Sequence, residues 1–145
     1  MGPEVPVPRT DWIRRQYRDL AYGPEALQRL DLYLPNDAAG AMPVVVLVHG
    51  GGFCACDKRD WHLYPGFYAL QRGFALASVN YRLAPAAKFP TPVEDVKEAV
   101  RFLRVHAREY GLSGEKMFLY GTSAGGNLVA VAGLQNAGTP EAVQG

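Results

Sequence analysis

The stretch Met117-Phe-Leu-Tyr-Gly-Thr-Ser-Ala-Gly-Gly-Asn127 joins a short apolar run to a turn of the form Gly-x-Ser-x-Gly. In this pattern a strand delivers Ser123 onto a sharp turn, and a helix follows directly. Gly121 and Gly125 lie two positions before and after the serine, where missing side chains let strand and helix pack closely. Because a serine hydroxyl is a weak nucleophile without a base, this arrangement indicates the nucleophile of a hydrolase. The alternative is that Gly121 only ends a strand and Ser123 only caps a helix.

A second glycine-rich segment, His49-Gly-Gly-Gly-Phe53, directly follows the apolar run Val44 to Val48. Attack on an ester carbonyl places negative charge on its oxygen, and backbone amides stabilise that charge where the chain approaches without side chains. Three glycines permit this approach, and Ala124 would add an amide from the start of the next helix. The alternative is a flexible loop without this role. We expect His49 to fix the loop's shape through a ring hydrogen bond rather than to act as a base.

Length and composition indicate one globular domain. Of the 145 residues 48% are hydrophobic and 20% charged, and a net charge of +1 gives no electrostatic reason to bind nucleic acid or an anionic membrane. Apolar runs such as Val44 to Val48 are too short to cross a bilayer, and no basic and then apolar export signal begins the sequence, so we expect a cytoplasmic location. Cys54 and Cys56 are too close for a disulfide framework, and no metal-ligand spacing surrounds them, so we expect them to pack in a loop. A serine hydrolase reaction needs neither a metal nor a cofactor, and none is expected.

Strand patterns occur in two groups. Tyr17 to Tyr22 and Arg29 to Leu34 predict a hairpin-like pair at a sheet edge around Gly23-Pro24, with every second residue of the latter strand apolar. The continuous apolar segments Pro43 to Val48 and Phe74 to Val79 predict parallel neighbours covered by helices on both faces. The remaining predicted elements are a crossover helix at Pro65 to Arg72 closed by Gly73, a third parallel strand at Met117 to Tyr120, and a helix at Ala124 to Asn136. This organisation is α/β with a mostly parallel sheet.

The most regular helix pattern covers Thr91 to Tyr110. Thr91 is a predicted cap, Pro92 fits the first helical position, and Glu94 completes a capping box. Gly111 is placed to end the helix. One face carries an apolar stripe made of Val93, Val96, Val100, Leu103, Ala107 and Tyr110.

Several motifs in the same order resemble the α/β-hydrolase fold, and within it the esterases related to hormone-sensitive lipase and to bacterial feruloyl or acetyl esterases. The matching segments, between residues 17 and 137, are Leu30-Asp-Leu-Tyr-Leu-Pro35, His49-Gly-Gly-Gly-Phe53, Asn80-Tyr-Arg-Leu-Ala-Pro85, Phe89-Pro90 with Glu94-Asp95, and Gly121-Thr-Ser-Ala-Gly-Gly-Asn127. The resemblance implies a three-layer α/β/α fold with Ser123 as nucleophile. It implies an oxyanion hole formed by the amides of Gly51, Gly52 and Ala124. His49 and Tyr81-Arg82 would be supporting structure, although an arginine at a strand end also fits a solvent-facing position.

The sequence departs from this family after the serine. The fold orders its catalytic residues as serine, acid and histidine, but Glu141 is the only acidic residue after Ser123 and no histidine follows. Of the earlier candidates, His106 lies opposite the helix's apolar stripe and is expected to be exposed, whereas His62 is a weak candidate for lining a pocket. Asp95 is interpreted as a helix-start residue rather than a catalytic acid. We therefore expect residues 1–145 to be the N-terminal part of a single hydrolase domain, truncated after the nucleophile helix.

These patterns predict a serine carboxylic ester hydrolase that acts on small-molecule esters through an acyl-enzyme and is inactive or weak as this fragment. A different class of function remains open, namely a non-catalytic hydrolase-fold protein that associates through an exposed sheet edge. A third alternative is an amidase or formamidase, because the serine turn does not distinguish esters from amides. Neither nucleic acid nor membrane is an expected partner.

Overall fold

A five-stranded sheet forms the centre of the protein in the computed structural model. The structure describes residues 7–38, 40–50, 57–83, 87–121, 125–126 and 128–130. Along the chain the strands are β1 (Arg15–Ala21), β2 (Arg29–Leu34), β3 (Met42–Val48), β4 (Ala75–Val79) and β5 (Leu112–Gly121). Their order across the sheet is β1-β2-β4-β3-β5.

The pairing of the strands agrees with the sequence pattern. β1 and β2 form an antiparallel pair, and β2 continues the sheet antiparallel to β4. The central strand β3 is parallel to both β4 and β5. The predicted hairpin and the three predicted parallel strands are therefore confirmed. β5 begins five residues earlier than the predicted start at Met117. The prediction missed these residues because this part of the strand is mostly polar and lacks the apolar run on which the prediction rested.

Before the serine turn, the described residues form three helices and one 3₁₀ turn beside the sheet. The turn at Trp61–Leu63 leads directly into α1 (Tyr64–Gln71), and α2 (Thr91–Val105) and α3 (Ala107–Tyr110) follow β4. Residues 125–126 and 128–130 are helical, which agrees with a helix after the serine turn. Gly73 follows α1 with φ +85°, a left-handed conformation that glycine adopts without steric cost.

The predicted helix from Thr91 to Tyr110 begins at Thr91 as predicted, but it is divided in two and its predicted capping is wrong. At His106 the backbone has φ −98° and ψ 10°, so α2 ends and a single further turn, α3, continues to Gly111. Pro90 occupies the N-cap position, and no side chain makes a capping hydrogen bond. Thr91 cannot act as the cap because its own residue is already helical, and its amide donates to the carbonyl of Lys88 at 2.8 Å.

The two faces of the sheet carry separate apolar cores. On one face, the sheet residues Leu32, Val46 and Ala77 are buried in the same cluster as the inner stripe of α2. On the other face, Leu47 and Leu76 pack in a smaller cluster that includes residues of the 3₁₀ turn and α1. The protein therefore has three layers with helices on both faces of a mixed sheet, as the α/β/α prediction requires. No helix among the described ranges is both long and apolar enough to span a membrane.

Candidate active site

The carboxyl ends of β3 and β5 lie side by side. Val48, the last residue of β3, is paired with Gly121, the last residue of β5. His49 and the glycine-rich segment follow the first strand, and the serine turn follows the second. Ligands of open α/β sheets bind outside the carboxyl ends of the strands, so this edge is where chemistry is expected.

Two glycines of the serine turn are required by close backbone packing. A Cβ atom on Gly125 would lie 2.7 Å from the carbonyl oxygen of His49 and would also collide with the carbonyl oxygen of Val48. A Cβ atom on Gly121 would lie 2.8 Å from the amide nitrogen of Gly126 and would collide with the carbonyl group of Gly125. The helix after β5 therefore starts against the end of both strands, which is the steric condition that the serine-turn interpretation demands.

The residues predicted to carry the chemistry lie outside the described residues. These are Ser123 as nucleophile and Gly51, Gly52 and Ala124 as oxyanion donors. The structure instead describes their neighbours, namely Gly121 and Gly125 around the serine turn and His49 and Gly50 at the start of the glycine-rich segment.

His49 is buried at the beginning of the glycine-rich segment, with 2% of its surface exposed. Its Nδ1 lies 2.8 Å from the carbonyl oxygen of Gly50, which is the ring hydrogen bond expected from the sequence. Tyr81 stacks on the imidazole with ring centroids 4.7 Å apart, and its hydroxyl donates to the His49 carbonyl oxygen at 2.8 Å. Burial lowers the pKa of His49, because desolvation disfavours the charged ring. A buried imidazole tied to its own loop suits a supporting role better than that of a general base.

Tyr81 does not face solvent, and the partly exposed Arg82 is held by an ion pair. Tyr81 is completely buried, and Arg82 makes an ion pair with the fully buried Asp95 of α2 through its guanidinium Nη2 at 2.7 Å. Asp95 also accepts a hydrogen bond from the backbone amide of Arg82 at 2.9 Å and one from the side chain of Gln28 at 3.0 Å. The interpretation of Asp95 as a helix-start residue is wrong, because its carboxylate points to the chain after β4 rather than to the amides of α2.

The other two histidines differ in their surroundings. His62 is 8% exposed, stacks on Trp61, and has its Nδ1 2.7 Å from a carboxylate oxygen of Asp60. Its ring centroid lies 6.2 Å from that of His49, so it packs beside the glycine-rich segment. His106 is partly exposed and contacts Glu109 at 2.9 Å, in agreement with the prediction.

Asp60 is held as a carboxylate by local hydrogen bonds. Burial alone would raise its pKa, but the amides of Asp57 and His62 and the ring of His62 donate to it, and the net effect lowers the pKa. This acid and histidine precede Ser123 in the chain, which is not the order of the hydrolase fold.

A charged cluster that the sequence analysis missed lies beneath the residues after the glycine-rich segment. Asp31 of β2 is completely buried and binds Arg59 through two hydrogen bonds of 2.6 and 3.0 Å. Lys58, 5% exposed, lies 3.7 Å from Asp31 and 2.9 Å from Asp19, and Arg59 also pairs with Asp19 at 2.9 Å. Hydrogen bonds from the two cations lower the pKa of Asp19, and the bond to Asp31 raises the pKa of Arg59. The sequence feature that could have indicated this cluster is the charged residue Asp31 inside the Leu-x-Leu-x-Leu pattern of β2.

A cavity of about 720 Å³ opens beside Arg82. Its walls include Glu25, Leu27, Lys88 and Phe89. In the described ranges, no group of three or more histidine, cysteine, aspartate or glutamate residues could hold a metal ion.

Comparison with known proteins identifies the family. The BD-FAE family model matches residues 30–142. The chain belongs to the BD-FAE family. This membership agrees with the esterase resemblance of the sequence motifs and with the α/β-hydrolase architecture.

Relatives of this BD-FAE chain include esterases and lipases. A probable isoprenylcysteine alpha-carbonyl methylesterase from Oryza sativa subsp. japonica is 34% identical over 83% of this chain and 28% of its own length. Hormone-sensitive lipase from Bos taurus is 36% identical over 78% of this chain and 15% of its own length. The chain thus spans about a quarter or less of these two relatives.

Solved structures support the same fold for the BD-FAE chain. A structure described as a truncated form of carbohydrate esterase from gut microbiota matches with a TM-score of 0.84 and 29% identity, covering 91% of this chain and 47% of that one. A thermophilic carboxylesterase cloned from a metagenomic library matches with a TM-score of 0.72 and 33% identity, covering 92% and 43%. The protein has the α/β-hydrolase fold, and its family consists of esterase- and lipase-type hydrolases.

Proposed function

We propose that the chain is the N-terminal part of a serine carboxylic ester hydrolase domain and carries its nucleophile and oxyanion donors. The observation that carries the proposal is the packing of Gly121 and Gly125 against the ends of β5 and β3. This packing requires residues without side chains at the two positions flanking Ser123, as a nucleophile turn does. Family membership supports the same reaction class.

In the proposed reaction, the Oγ atom of Ser123 attacks the carbonyl carbon of a small ester while its proton passes to a base. The carbonyl oxygen becomes an anion stabilised by the amides of Gly51, Gly52 and Ala124. Collapse of this intermediate expels the alcohol and leaves an acyl-enzyme, which water then hydrolyses. The fold takes its acid and histidine from after the serine, and no histidine follows Ser123 in this sequence, so we expect weak activity from these 145 residues. Loss of a triad member can cost about a million-fold in turnover.

The described residues would support the oxyanion donors rather than react. Tyr81 holds the carbonyl oxygen of His49, and the His49 ring contacts Gly50 at the start of the glycine-rich segment. This contact holds the segment where it leaves β3. We expect neutral His49 to be the working form, since burial lowers its pKa.

A fluorophosphonate probe tests the proposed nucleophile. The Oγ atom of an activated serine displaces fluoride from phosphorus and becomes covalently labelled, which mass spectrometry detects on the intact chain. We expect slow, stoichiometric labelling at Ser123 that is absent from Ser123→Ala. Ser113→Ala, at a serine of β5 before the turn, is the matched control and should keep the label.

The two alternative functions predict different results in labelling and turnover assays. A well-folded sample without any labelling would favour a non-catalytic protein that associates through the edge of β5, and sedimentation would then show self-association. In the described part of the sheet β5 pairs with β3 on one side, so its other edge is where such association would occur. Faster turnover of a formamide than of the corresponding ester would favour an amidase.

A further inference from the structure

The chain is held on both sides of residues 51–56 by polar contacts to the sheet. Before them, the Tyr81 hydroxyl donates to the carbonyl oxygen of His49. After them, the backbone amide of Lys58 donates to the side-chain oxygen of Asn80 at 2.9 Å, and its carbonyl oxygen accepts from Ser78 at 2.7 Å. The residues that hold the chain come from β4 and the segment immediately after it.

Charged groups add to the attachment on the second side. Asp31 and Ser78 are directly opposite each other on β2 and β4. Lys58 and Arg59 lie over this pair, with Lys58 almost completely buried and Arg59 bonded to both oxygens of Asp31. Asp31 also accepts the amide of Asp19 at 2.8 Å, at a residue with φ +55° next to an irregularity in the β1–β2 pairing. The negative charges of the two aspartates therefore balance the positive charges of Lys58 and Arg59.

Residues 57–60 also form their own hydrogen-bonded turn. The amide of Asp57 donates to the Asp60 side chain at 3.0 Å, and the amide of Arg59 donates to the Asp57 side chain at 3.0 Å. The side chain of Asn80 donates to Asp57 at 2.8 Å. A turn closed in this way moves as a unit, so fixing Lys58 and Arg59 fixes the whole turn.

We propose that Asp31, together with Lys58 and Arg59, positions the oxyanion donors by anchoring the chain where it leaves the glycine-rich segment. The inference rests on the proposed function, because the donors are Gly51 and Gly52. These three are positioning residues, since none of them needs to touch the ester. Anchoring both sides restricts where the intervening residues lie, and small displacements of groups that stabilise a transition state cost about 100-fold in rate.

Amide hydrogen exchange on the 145-residue chain tests the anchor without requiring catalysis. Arg59→Met removes both bonds to Asp31 but leaves Lys58, 3.7 Å away, as the counter-charge of that buried carboxylate, so we expect the fold to survive. We expect exchange of the amides at residues 57–60 to rise about tenfold, with β3 and α2 unchanged, because only a local attachment is lost. Arg59→Lys keeps the charge and should restore part of the protection.

Two control variants separate local from global effects. Arg101→Met makes the same chemical change in an exposed ion pair with Glu98 on α2 and should leave residues 57–60 unchanged. Val96→Ala destabilises the core on the opposite face and should raise exchange throughout. Unchanged exchange at 57–60 in Arg59→Met, or a uniform rise like that of Val96→Ala, would overturn the anchor.

Ester turnover and Ser123 labelling on the same samples test the positioning role. We expect Arg59→Met to lower kcat and the labelling rate about 10- to 100-fold with KM unchanged, and Arg59→Lys to recover part of both. Faster exchange with unaltered kcat and labelling would make the anchor purely structural and overturn the positioning role. Absence of labelling in the unmodified chain would contradict the proposed function and the positioning role together, while exchange still decides whether the anchor exists.

Discussion

Two buried carboxylates lie on opposite faces of the sheet and differ in what they hold. Asp31 and Asp95 are both completely buried, and each is bonded to an arginine. Asp31 also lies near Lys58, whose side chain is 5% exposed, whereas the guanidinium side chain of Arg82 beside Asp95 is 36% exposed. Lys58 is therefore less able to return to water than Arg82, whereas Arg59, 30% exposed, differs little from Arg82.

Two equally buried acids therefore need not contribute equally to the stability of the fold. Removing one partner of a buried pair is costly when the remaining charge stays buried, and cheaper when the remaining charge can be hydrated. Asp31 joins the exit of the glycine-rich segment to β2, and Asp95 joins α2 to the chain after β4. The two networks thus fix opposite sides of the candidate site.

The largest expected effect is that of Asp31→Ala. It should lower the free energy of unfolding by about 3–5 kcal/mol, because Lys58 would remain buried with a reduced counter-charge. Urea denaturation at neutral pH measures the loss. An equal or smaller loss of unfolding free energy in Asp31→Ala than in Asp95→Ala would contradict the difference proposed between the two networks.

Asp95→Ala should cost less, about 2 kcal/mol, because Arg82 can be hydrated but the buried amide of Gln28 loses its acceptor. Gln28→Ala in the same background reveals the coupling. If Gln28 is the group left without a partner, the double variant should be less destabilised than the sum of the single variants. Strict additivity would contradict this explanation.

His49 is a third buried titratable group, and its ring is bonded to a backbone carbonyl rather than to a charged side chain. Because its pKa is lowered in the folded state, the unfolded chain binds a proton first as the pH falls below about 6.5. Stability should therefore decrease with falling pH, by up to about 1.4 kcal/mol per pH unit from this group. Denaturation of the parent and His49→Gln between pH 7.5 and 5.5 measures the difference in slope, and identical slopes would contradict it.

The smallest expected effect is that of Arg101→Met on the outer face of α2. Arg101 and Glu98 form an ion pair in which both side chains are nearly half exposed. Such pairs contribute about 0.5 kcal/mol or less, and the contribution falls further in salt. A loss comparable with that of Asp95→Ala would show that exposure is not what separates strong from weak pairs in this protein.

Local patterns predicted most of the fold because each relied on contacts near in sequence. The continuous apolar runs of β3 and β4 predicted buried parallel strands, and Gly73 predicted the end of α1. The helix pattern failed at His106, where the apolar stripe continues into Ala107 although α2 ends at a residue with φ −98° and ψ 10°. Apolar periodicity indicates which face of a helix is buried, but it does not indicate where the backbone hydrogen bonds of the helix end.

The polar partners could not be predicted in the same way. Asp31 falls between leucines in β2, and alternation places it on the face opposite them without indicating what covers that face. That face is covered by Lys58 and Arg59, which lie 27 and 28 positions later in the sequence. Neither spacing nor residue type specifies which segment covers a strand.

Local sequence patterns were enough to predict the order of strands and helices along the chain, the glycines around Ser123 and an esterase-type family, because apolar periodicity and steric demands act on neighbouring residues. The tertiary structure alone decided that Asp31 and Asp95 are buried and which cations satisfy them. The physical reason is that a carboxylate enters the interior only where distant parts of the chain supply its hydrogen bonds, and that meeting exists only in the folded molecule.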